Sequence, residues 1–195
     1  MKDKLKILVL CTGNSCRSQM AEGFFRHYGG DKIEVKSAGL EPKGVNPLAV
    51  KVMKEVGIDI SSHRSKHLNE FLNEDFDYII TVCDNAAKNC PVWPIRPNPS
   101  ASLGTSPLAP KRPNPPAPFP ERKGEEDCGR QTPSSAPKSH LEPVEGRPVR
   151  LHWPFTDPVF ATGTEEEILQ VFRKVRDGIG ERVEKSFELM LNKNF

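Results

Sequence analysis

The sequence contains no long apolar run and almost no excess of charge. No stretch approaches the roughly 20 apolar residues of a membrane-spanning helix, and the short apolar segment at 5–10 is followed by no signal-peptide cleavage pattern. The 28 basic and 26 acidic residues leave a formal net charge of +2, which favours neither nucleic acid nor a membrane surface as a partner. We therefore expect a cytoplasmic protein with no nucleic-acid or membrane partner.

Metal-ligand spacing is also missing among the cysteines and histidines. The chain has five cysteines and no export signal, and in a reducing cytosol such cysteines are more often catalytic, redox-active or metal-binding than structural. The pairs Cys11/Cys16 and Cys83/Cys90 are too widely spaced for usual zinc ligands, and none of the five histidines has a suitably spaced partner. We expect no bound metal.

Proline is abundant, but mostly in one segment. Of the 19 prolines, 13 lie between residues 96 and 150, where large apolar side chains are few. Proline removes a backbone donor and blocks helices, so this segment should not form a packed unit. We interpret 96–150 as a disordered insertion in a single domain that spans 1–195. The remainder has a typical single-domain length.

Outside that segment, short apolar strands alternate with amphipathic helices. Strands are predicted at 6–10, 33–35, 76–82 and 149–153, and helices at 18–28, 47–56 and 164–191. This alternation predicts an α/β fold with an open parallel sheet, in which ligands bind at the carboxyl ends of the strands. Cys11 and Cys83 each follow such an end, although spacing alone does not give the order of the strands.

An oxyanion-binding pattern follows the first predicted strand. It reads Cys11-Thr12-Gly13-Asn14-Ser15-Cys16-Arg17-Ser18. The amides of a tight loop and of a helix N-terminus form an anion site, and the guanidinium of Arg17 can hold two oxygens of a tetrahedral anion. We expect this field to lower the pKa of Cys11, with Ser18 stabilising the thiolate. The alternative is a buried structural cysteine.

The loop and first helix resemble the low-molecular-weight phosphatase superfamily, in its thioredoxin-coupled arsenate reductase branch. The resemblance rests on 9–22 and on the segments 37–39, 44–47, 57–61, 83–86 and 163–167. It covers the chain apart from the proline-rich segment. It implies a flavodoxin-like three-layer sandwich with a four-stranded parallel sheet, in which Cys11 is the nucleophile, Arg17 the oxyanion clamp and 12–18 the oxyanion loop.

The same resemblance gives Asp157 a catalytic role. In the family an Asp-Pro pair after the last strand supplies the general acid, and Asp157-Pro158 stands at that place. A carboxyl group near the departing oxygen is what displacement at phosphorus or arsenic needs. Asp-Pro is also a common turn dipeptide, so a simple turn is the alternative interpretation.

Cys83 and Cys90 distinguish a reductase from a phosphatase. A phosphatase needs only Cys11, because water hydrolyses its covalent intermediate. A reductase must move two electrons, and the resemblance implies that Cys83 attacks the arsenic-bearing Cys11 and that Cys90 then takes over the disulfide. Thioredoxin would reduce that disulfide, presented by a mobile segment at 84–89, and no cofactor is bound. A low-molecular-weight protein-tyrosine phosphatase is the alternative.

Three further residues carry smaller predictions. Cys16 is expected to pack into the first helix, and Cys128, within the proline-rich segment, to be a spare exposed thiol. Some relatives use an aspartate in a potassium site where this chain has Lys66, whose charge would repel the cation, so we expect no potassium dependence.

A binding module without catalysis, with proline-rich runs that dock on another protein, is the remaining alternative.

Overall fold

The computed structural model describes residues 4–91 and 148–194. Its strands are β1 (Leu5–Cys11), β2 (Ile33–Gly39), β3 (Tyr78–Thr81) and β4 (Val149–His152), and its helices are α1 (Arg17–Gly29), α2 (Pro47–Glu55), α3 (Asp84–Lys88) and α4 (Glu165–Asn194). Short 3₁₀ turns lie at Gly30–Lys32, Leu68–Phe71 and Pro158–Phe160. Most of the predicted insertion, with Cys128, lies outside the described residues, so its disorder and the single-domain assignment stay predictions.

The predicted strands and long helices are present, with shifted ends. Strand β2 continues past the predicted end to Gly39, because β1 pairs with it along its whole length. The predicted insertion extends two residues too far, since Val149 and Arg150 begin β4. The segment predicted to be mobile contains the short helix α3, which begins with the Cys83 side chain accepting a hydrogen bond from the amide of Ala86.

The four strands form one parallel sheet in the order β2-β1-β3-β4. Leu10 of β1 lies opposite Thr81 of β3, and Thr81 lies opposite His152 of β4. The carboxyl ends of the two central strands therefore lie side by side. This arrangement brings the loop after Cys11 and the segment after Cys83 to the same edge of the sheet.

The central strands are buried on both faces. All four residues of β3 and all residues of β1 except Lys6 are buried, as is usual for a parallel sheet covered on both sides. Helix α4 is tied to α2 by a 2.8 Å hydrogen bond from Arg176 Nη1 to the carbonyl of Val52, and Phe25 of α1 stacks on Trp153. The predicted three-layer α/β class is confirmed.

The long last helix begins at the capping box predicted from the sequence. The amide of Thr164 donates to Glu167 Oε2 at 2.7 Å, and the amide of Glu167 donates to Thr164 Oγ1 at 3.4 Å. Its buried face consists of Leu169, Phe172, Val175, Ile179, Val183 and Phe187. The opposite face is charged, and no helix within 4–91 and 148–194 is long and apolar enough to cross a membrane.

A glycine allows the end of β2 to lie against the loop after β1. A Cβ atom at Gly39 would lie 2.7 Å from the carbonyl oxygen of Thr12 and 2.9 Å from the amide nitrogen of Asn14. Both neighbours are backbone atoms, so they cannot give way by a side-chain rotation. Gly39 therefore sets how closely β2 supports the loop.

We expect Gly39→Ala to destabilise the fold by about 1–3 kcal/mol, the usual cost of overpacking. Gly178→Ala is the matched control, because its Cβ would meet only Phe155 Cε1 at 3.8 Å and alanine in a helix interior should stabilise by about 0.5–1 kcal/mol. Urea unfolding measures both free energies. Equal stability of Gly39→Ala and the unmodified protein would contradict the close approach.

Candidate active site

The loop between β1 and α1 directs its carbonyl groups outward. Amides of residues 40, 41, 43 and 46 bind its carbonyls at 2.8 to 3.3 Å, on Cys11, Thr12, Gly13 and Ser15. The carbonyl of Asn14 accepts from Gln19 Nε2 at 3.0 Å and from Ser65 Oγ, and the carbonyl of Cys16 accepts from the amide of Met20 at 2.9 Å. An anion beside Cys11 therefore meets N–H groups rather than carbonyl oxygens, as an anion-binding turn requires.

Asn14 holds this loop in place with its side chain. Its φ of 44° lies in the left-handed region, which asparagine tolerates better than most residues. Its side-chain nitrogen Nδ2 donates to Ser18 Oγ at 3.0 Å and to Ser37 Oγ at 2.8 Å. Its side-chain oxygen Oδ1 accepts from the backbone amide of Lys66 and from Gln19 Nε2. The sequence predicted Asn14 only as an anion contact, and the structure adds this bracing role.

Cys11 lies buried within the loop. Its Sγ is 2.8 Å from Ser18 Oγ and accepts a 2.9 Å hydrogen bond from the amide of Asn14. Burial raises the pKa of Cys11 above its ordinary value, while Ser18, the Asn14 amide and the charge of Arg17 act in the opposite direction. The predicted lowering of the pKa is wrong for this structure, because removal from water outweighs the local positive field.

Arg17 and Asp157 meet at the mouth of the loop. Arg17 Nη2 forms an ion pair with the Asp157 carboxylate, and Nη1 donates to the carbonyl of Phe155 at 2.8 Å. The carboxylate also accepts from the amide of Val159 at 3.2 Å. Asp157 thus caps the turn, as the simpler interpretation held, and lies beside the oxyanion loop. Its role as general acid stays a prediction.

Cys83 lies against the same loop from the neighbouring strand. Its buried Sγ is 3.4 Å from Thr12 Oγ1 and accepts from the amide of Ala86 at 3.4 Å. Asn85 Nδ2 donates to Thr12 Oγ1 at 3.0 Å. Thr12 therefore links the loop that holds Cys11 to Cys83. No sequence pattern predicted the hydrogen bond from Asn85 to Thr12.

The structure does not bring Cys90 to the loop. It follows α3 at the end opposite Cys83 and is half-buried, with its Sγ 3.8 Å from the carbonyl of Pro91. Burial raises the pKa of the Cys90 thiol above its ordinary value. Two of the three predicted relay cysteines are therefore close to the oxyanion loop, and the third is remote from it.

Cys16 packs in the core. It is buried at the start of α1, and burial raises the pKa of Cys16 to about 12. Such a thiol stays protonated at neutral pH and is a poor nucleophile. Its side chain has the packing role predicted for it.

A buried ion pair lies behind the loop. The fully buried carboxylate of Glu22 accepts from Ser37 Oγ at 2.5 Å and lies 3.1 Å from Lys66 Nζ. Asn14 donates to the same serine, and Glu22 also forms an ion pair with Arg26 at 2.6 Å, so Lys66 and Arg26 are the cations of this network. Independence from potassium stays a prediction. Within the described part of the chain, no group of three or more His, Cys, Asp or Glu residues is arranged to hold a metal.

Relatives share this sequence over most of its length. The model of the low molecular weight phosphotyrosine protein phosphatase family matches residues 6–97. An arsenate reductase of Shouchella clausii (strain KSM-K16) is 39% identical over 182 residues, 93% of this chain and 94% of the relative. One of Bacillus subtilis (strain 168) is 38% identical over 188 residues, 96% and 98% of the two chains.

The chain belongs to the arsenate reductase branch of this phosphatase family. Solved structures agree. An arsenate reductase in the reduced state is 29% identical with a TM-score of 0.56, covering 95% of this chain and 98% of the other. Another in the phosphate binding state is 29% identical with a TM-score of 0.54, covering 93% and 95%. The recognised family and the fold class are thereby confirmed.

We expect Ser18→Ala to make Cys11 less reactive, because the thiolate loses the hydroxyl 2.8 Å from Sγ. A hydrogen bond to a charged group contributes about 1.5–3 kcal/mol, so the pKa should rise by about one unit or more. Alkylation of Cys11 by iodoacetamide at neutral pH should then slow roughly tenfold or more, as measured by mass spectrometry of the Cys11 peptide.

The rate should climb with increasing pH in both proteins, because the thiolate is the reactive form and the pKa of Cys11 is already raised. Ser62→Ala, at an exposed position, is the control and should keep the unmodified pH profile. Superimposable profiles for Ser18→Ala and the unmodified protein would show that the hydroxyl does not stabilise the thiolate.

Proposed function

We propose that this chain reduces arsenate to arsenite through a Cys11-Cys83-Cys90 thiol-disulfide relay, which thioredoxin returns to the reduced state in the cytoplasm without a bound cofactor. The observation that carries the proposal is the second thiol at the oxyanion loop, with Cys83 Sγ 3.4 Å from Thr12 Oγ1. A phosphatase has no use for a thiol there. The relatives of Shouchella clausii and Bacillus subtilis, which are arsenate reductases, support arsenate as the substrate.

In the first step the Cys11 thiolate attacks arsenic. The loop amides of 12–18 and the guanidinium of Arg17 hold the arsenate oxygens. A sulfur-arsenic bond forms and an arsenic-oxygen bond breaks. Asp157, once released from its ion pair with Arg17 and protonated from solvent, gives that proton to the departing oxygen, which leaves as water. Arsenic stays pentavalent in this step, so no electrons have yet moved to it.

In the second step Cys83 reduces the arsenic. Its thiolate attacks Cys11 Sγ, a Cys11-Cys83 disulfide forms, and the sulfur-arsenic bond breaks. The bonding electron pair stays on arsenic, which leaves as trivalent arsenite. The contact between Cys83 and Thr12 supports this step, because the attacking sulfur starts beside the loop that holds its target.

In the third step Cys90 attacks Cys83 and Cys11 leaves as a thiolate, stabilised by Ser18 and the amide of Asn14. Helix α3 lies between the two reacting cysteines. At 1.5 Å per residue their Cα atoms are about 10 Å apart, beyond the roughly 7 Å that a disulfide spans. Helix α3 must therefore unwind, which its five residues make easy, and the new disulfide becomes available to thioredoxin.

Phosphatase activity on aryl phosphates is a second candidate, favoured by one observation. Cys11, Arg17 and Asp157 suffice for it, and Phe160, in the turn that Asp157 begins, is 81% exposed. Thr156 and Val159 supply no aromatic wall, but Phe160 offers an aromatic face near the site. Comparing arsenate with an aryl phosphate, with and without thioredoxin, separates the two activities.

We expect Cys90→Ser to abolish thioredoxin-dependent multiple turnover, because the Cys11-Cys83 disulfide can no longer be passed on. Arsenite release over many turnovers, followed with excess thioredoxin, its reductase and NADPH, measures this. Hydrolysis of an aryl phosphate by the variant should be unchanged, because that reaction needs neither Cys83 nor Cys90.

Cys128→Ser is the matched control, since it also removes one thiol but no member of the relay, and it should keep full turnover. Undiminished multiple turnover in Cys90→Ser would contradict the relay. Loss of activity in both variants would point to a general effect of cysteine removal instead.

A further inference from the structure

Arg150 directs its guanidinium at the thiol of Cys90. Its Nη2 donates to Cys90 Sγ at 3.4 Å and also to the carbonyl of Pro91. Arg150 is the second residue of β4, opposite Ile79 of β3 in the register. The contact therefore joins the end of the relay segment, residues 83–90, to strand β4.

Cys90 and Arg150 line a small cavity between the sheet and α3. The cavity has a volume of about 160 Å³ and is otherwise lined by Ile79, Thr81, Ala87, Leu151 and His152. Of these lining residues in the described part of the chain, Arg150 alone carries a permanent charge. A thiolate formed at Cys90 would therefore have one cation in contact, in a cavity that also contains the apolar side chains of Ile79, Ala87 and Leu151.

The nearby acidic group is engaged elsewhere. His152 Nε2 lies 3.0 Å from Asp84 Oδ1, and its Nδ1 lies 2.9 Å from Thr81 Oγ1. His152 of β4 lines the cavity together with Arg150, and Asp84, in the first turn of α3, is the charged partner of that histidine. The carboxylate is thus held by the histidine, and the guanidinium contacts the sulfur.

Burial and Arg150 act in opposite directions on Cys90. Burial raises the pKa of the thiol, whereas the charge of Arg150 and its hydrogen bond lower it. Only the thiolate attacks a disulfide, so the rate of the resolving step depends on the fraction that is deprotonated. A half-buried thiol without a neighbouring cation would be a poor resolving group.

We propose that Arg150 is a positioning residue for the resolving step: its guanidinium stabilises the Cys90 thiolate before that sulfur attacks Cys83. The role rests on the proposed relay. Cys90 first loses its proton to solvent. Its sulfur then bonds to Cys83 Sγ, the Cys83-Cys11 bond breaks, and the electron pair leaves with Cys11. The disulfide is transferred within the protein, so no further oxidant or reductant takes part.

The first measurement is the alkylation of Cys90 by iodoacetamide across the pH range, with each cysteine-containing peptide quantified by mass spectrometry. Arg150→Met should raise the apparent pKa of Cys90 by about one unit and slow alkylation at neutral pH about tenfold, whereas Arg150→Lys should retain part of the effect. Arg64→Met is the matched control, because it removes an exposed arginine that pairs with Glu70, and its profile should be unchanged.

The second measurement is a single turnover with arsenate, quenched by acid and mapped for disulfides. In Arg150→Met the Cys11-Cys83 disulfide should form at the unmodified rate and convert to Cys83-Cys90 about tenfold more slowly. If Arg150→Met folds poorly, Arg150→Gln, also uncharged but able to donate to Pro91, replaces it in the comparison with Arg150→Lys.

Unchanged titration of Cys90 in the uncharged variants would overturn this role while leaving the relay intact. Faster conversion in Arg150→Met would also overturn it, because Arg150 would then restrain Cys90 rather than activate it. If the unmodified protein forms no Cys83-Cys90 disulfide in this single turnover, the relay and the role of Arg150 are overturned together.

Discussion

The candidate site depends on the loop after β1, whose carbonyl groups are hydrogen-bonded to neighbouring segments and so point away from the site. The backbone amides of this loop point to its interior, because its carbonyl groups accept hydrogen bonds from outside. The donors are amides at 40–46 and the side chains of Gln19 and Ser65. The amides at 40–46 follow β2, which lies close enough only because residue 39 is glycine. The backbone amides around the buried sulfur of Cys11 follow from this arrangement, whereas the pairing of β1 with β3 brings Cys83 to the loop.

Features that depend only on residues close together in the sequence could be predicted from it. Strand β1, helix α1 and the capping box of α4 are local patterns, and each is present. Anion binding by the loop after β1 stays a prediction. The proximity of Cys11 and Cys83 depends on strand order, a long-range property set by pairing between β1 and β3. The raised pKa of Cys11 could not be predicted, since burial comes from the whole fold and outweighs the local field.

Arg150 shows a second limit of sequence patterns. It lies 60 positions from Cys90, beyond a proline-rich segment, where the predicted insertion at 96–150 and the predicted strand at 149–153 overlap. Only the pairing of β4 with β3 brings its side chain to the relay segment. The family resemblance names the three thiols and the oxyanion pattern names Ser18 beside Cys11, but the contacts of Thr12 with Cys83 and of Arg150 with Cys90 come from the folded chain.

The central claim is that the protein itself supplies the two electrons that reduce arsenate. It is tested most directly by mixing the fully reduced protein with excess arsenate and no external reductant, then measuring arsenite and free thiols together. We expect one arsenite per protein molecule, loss of two thiols, and a Cys83-Cys90 disulfide in the peptide map. Arsenite release without loss of thiols, or no arsenite at all, would contradict it.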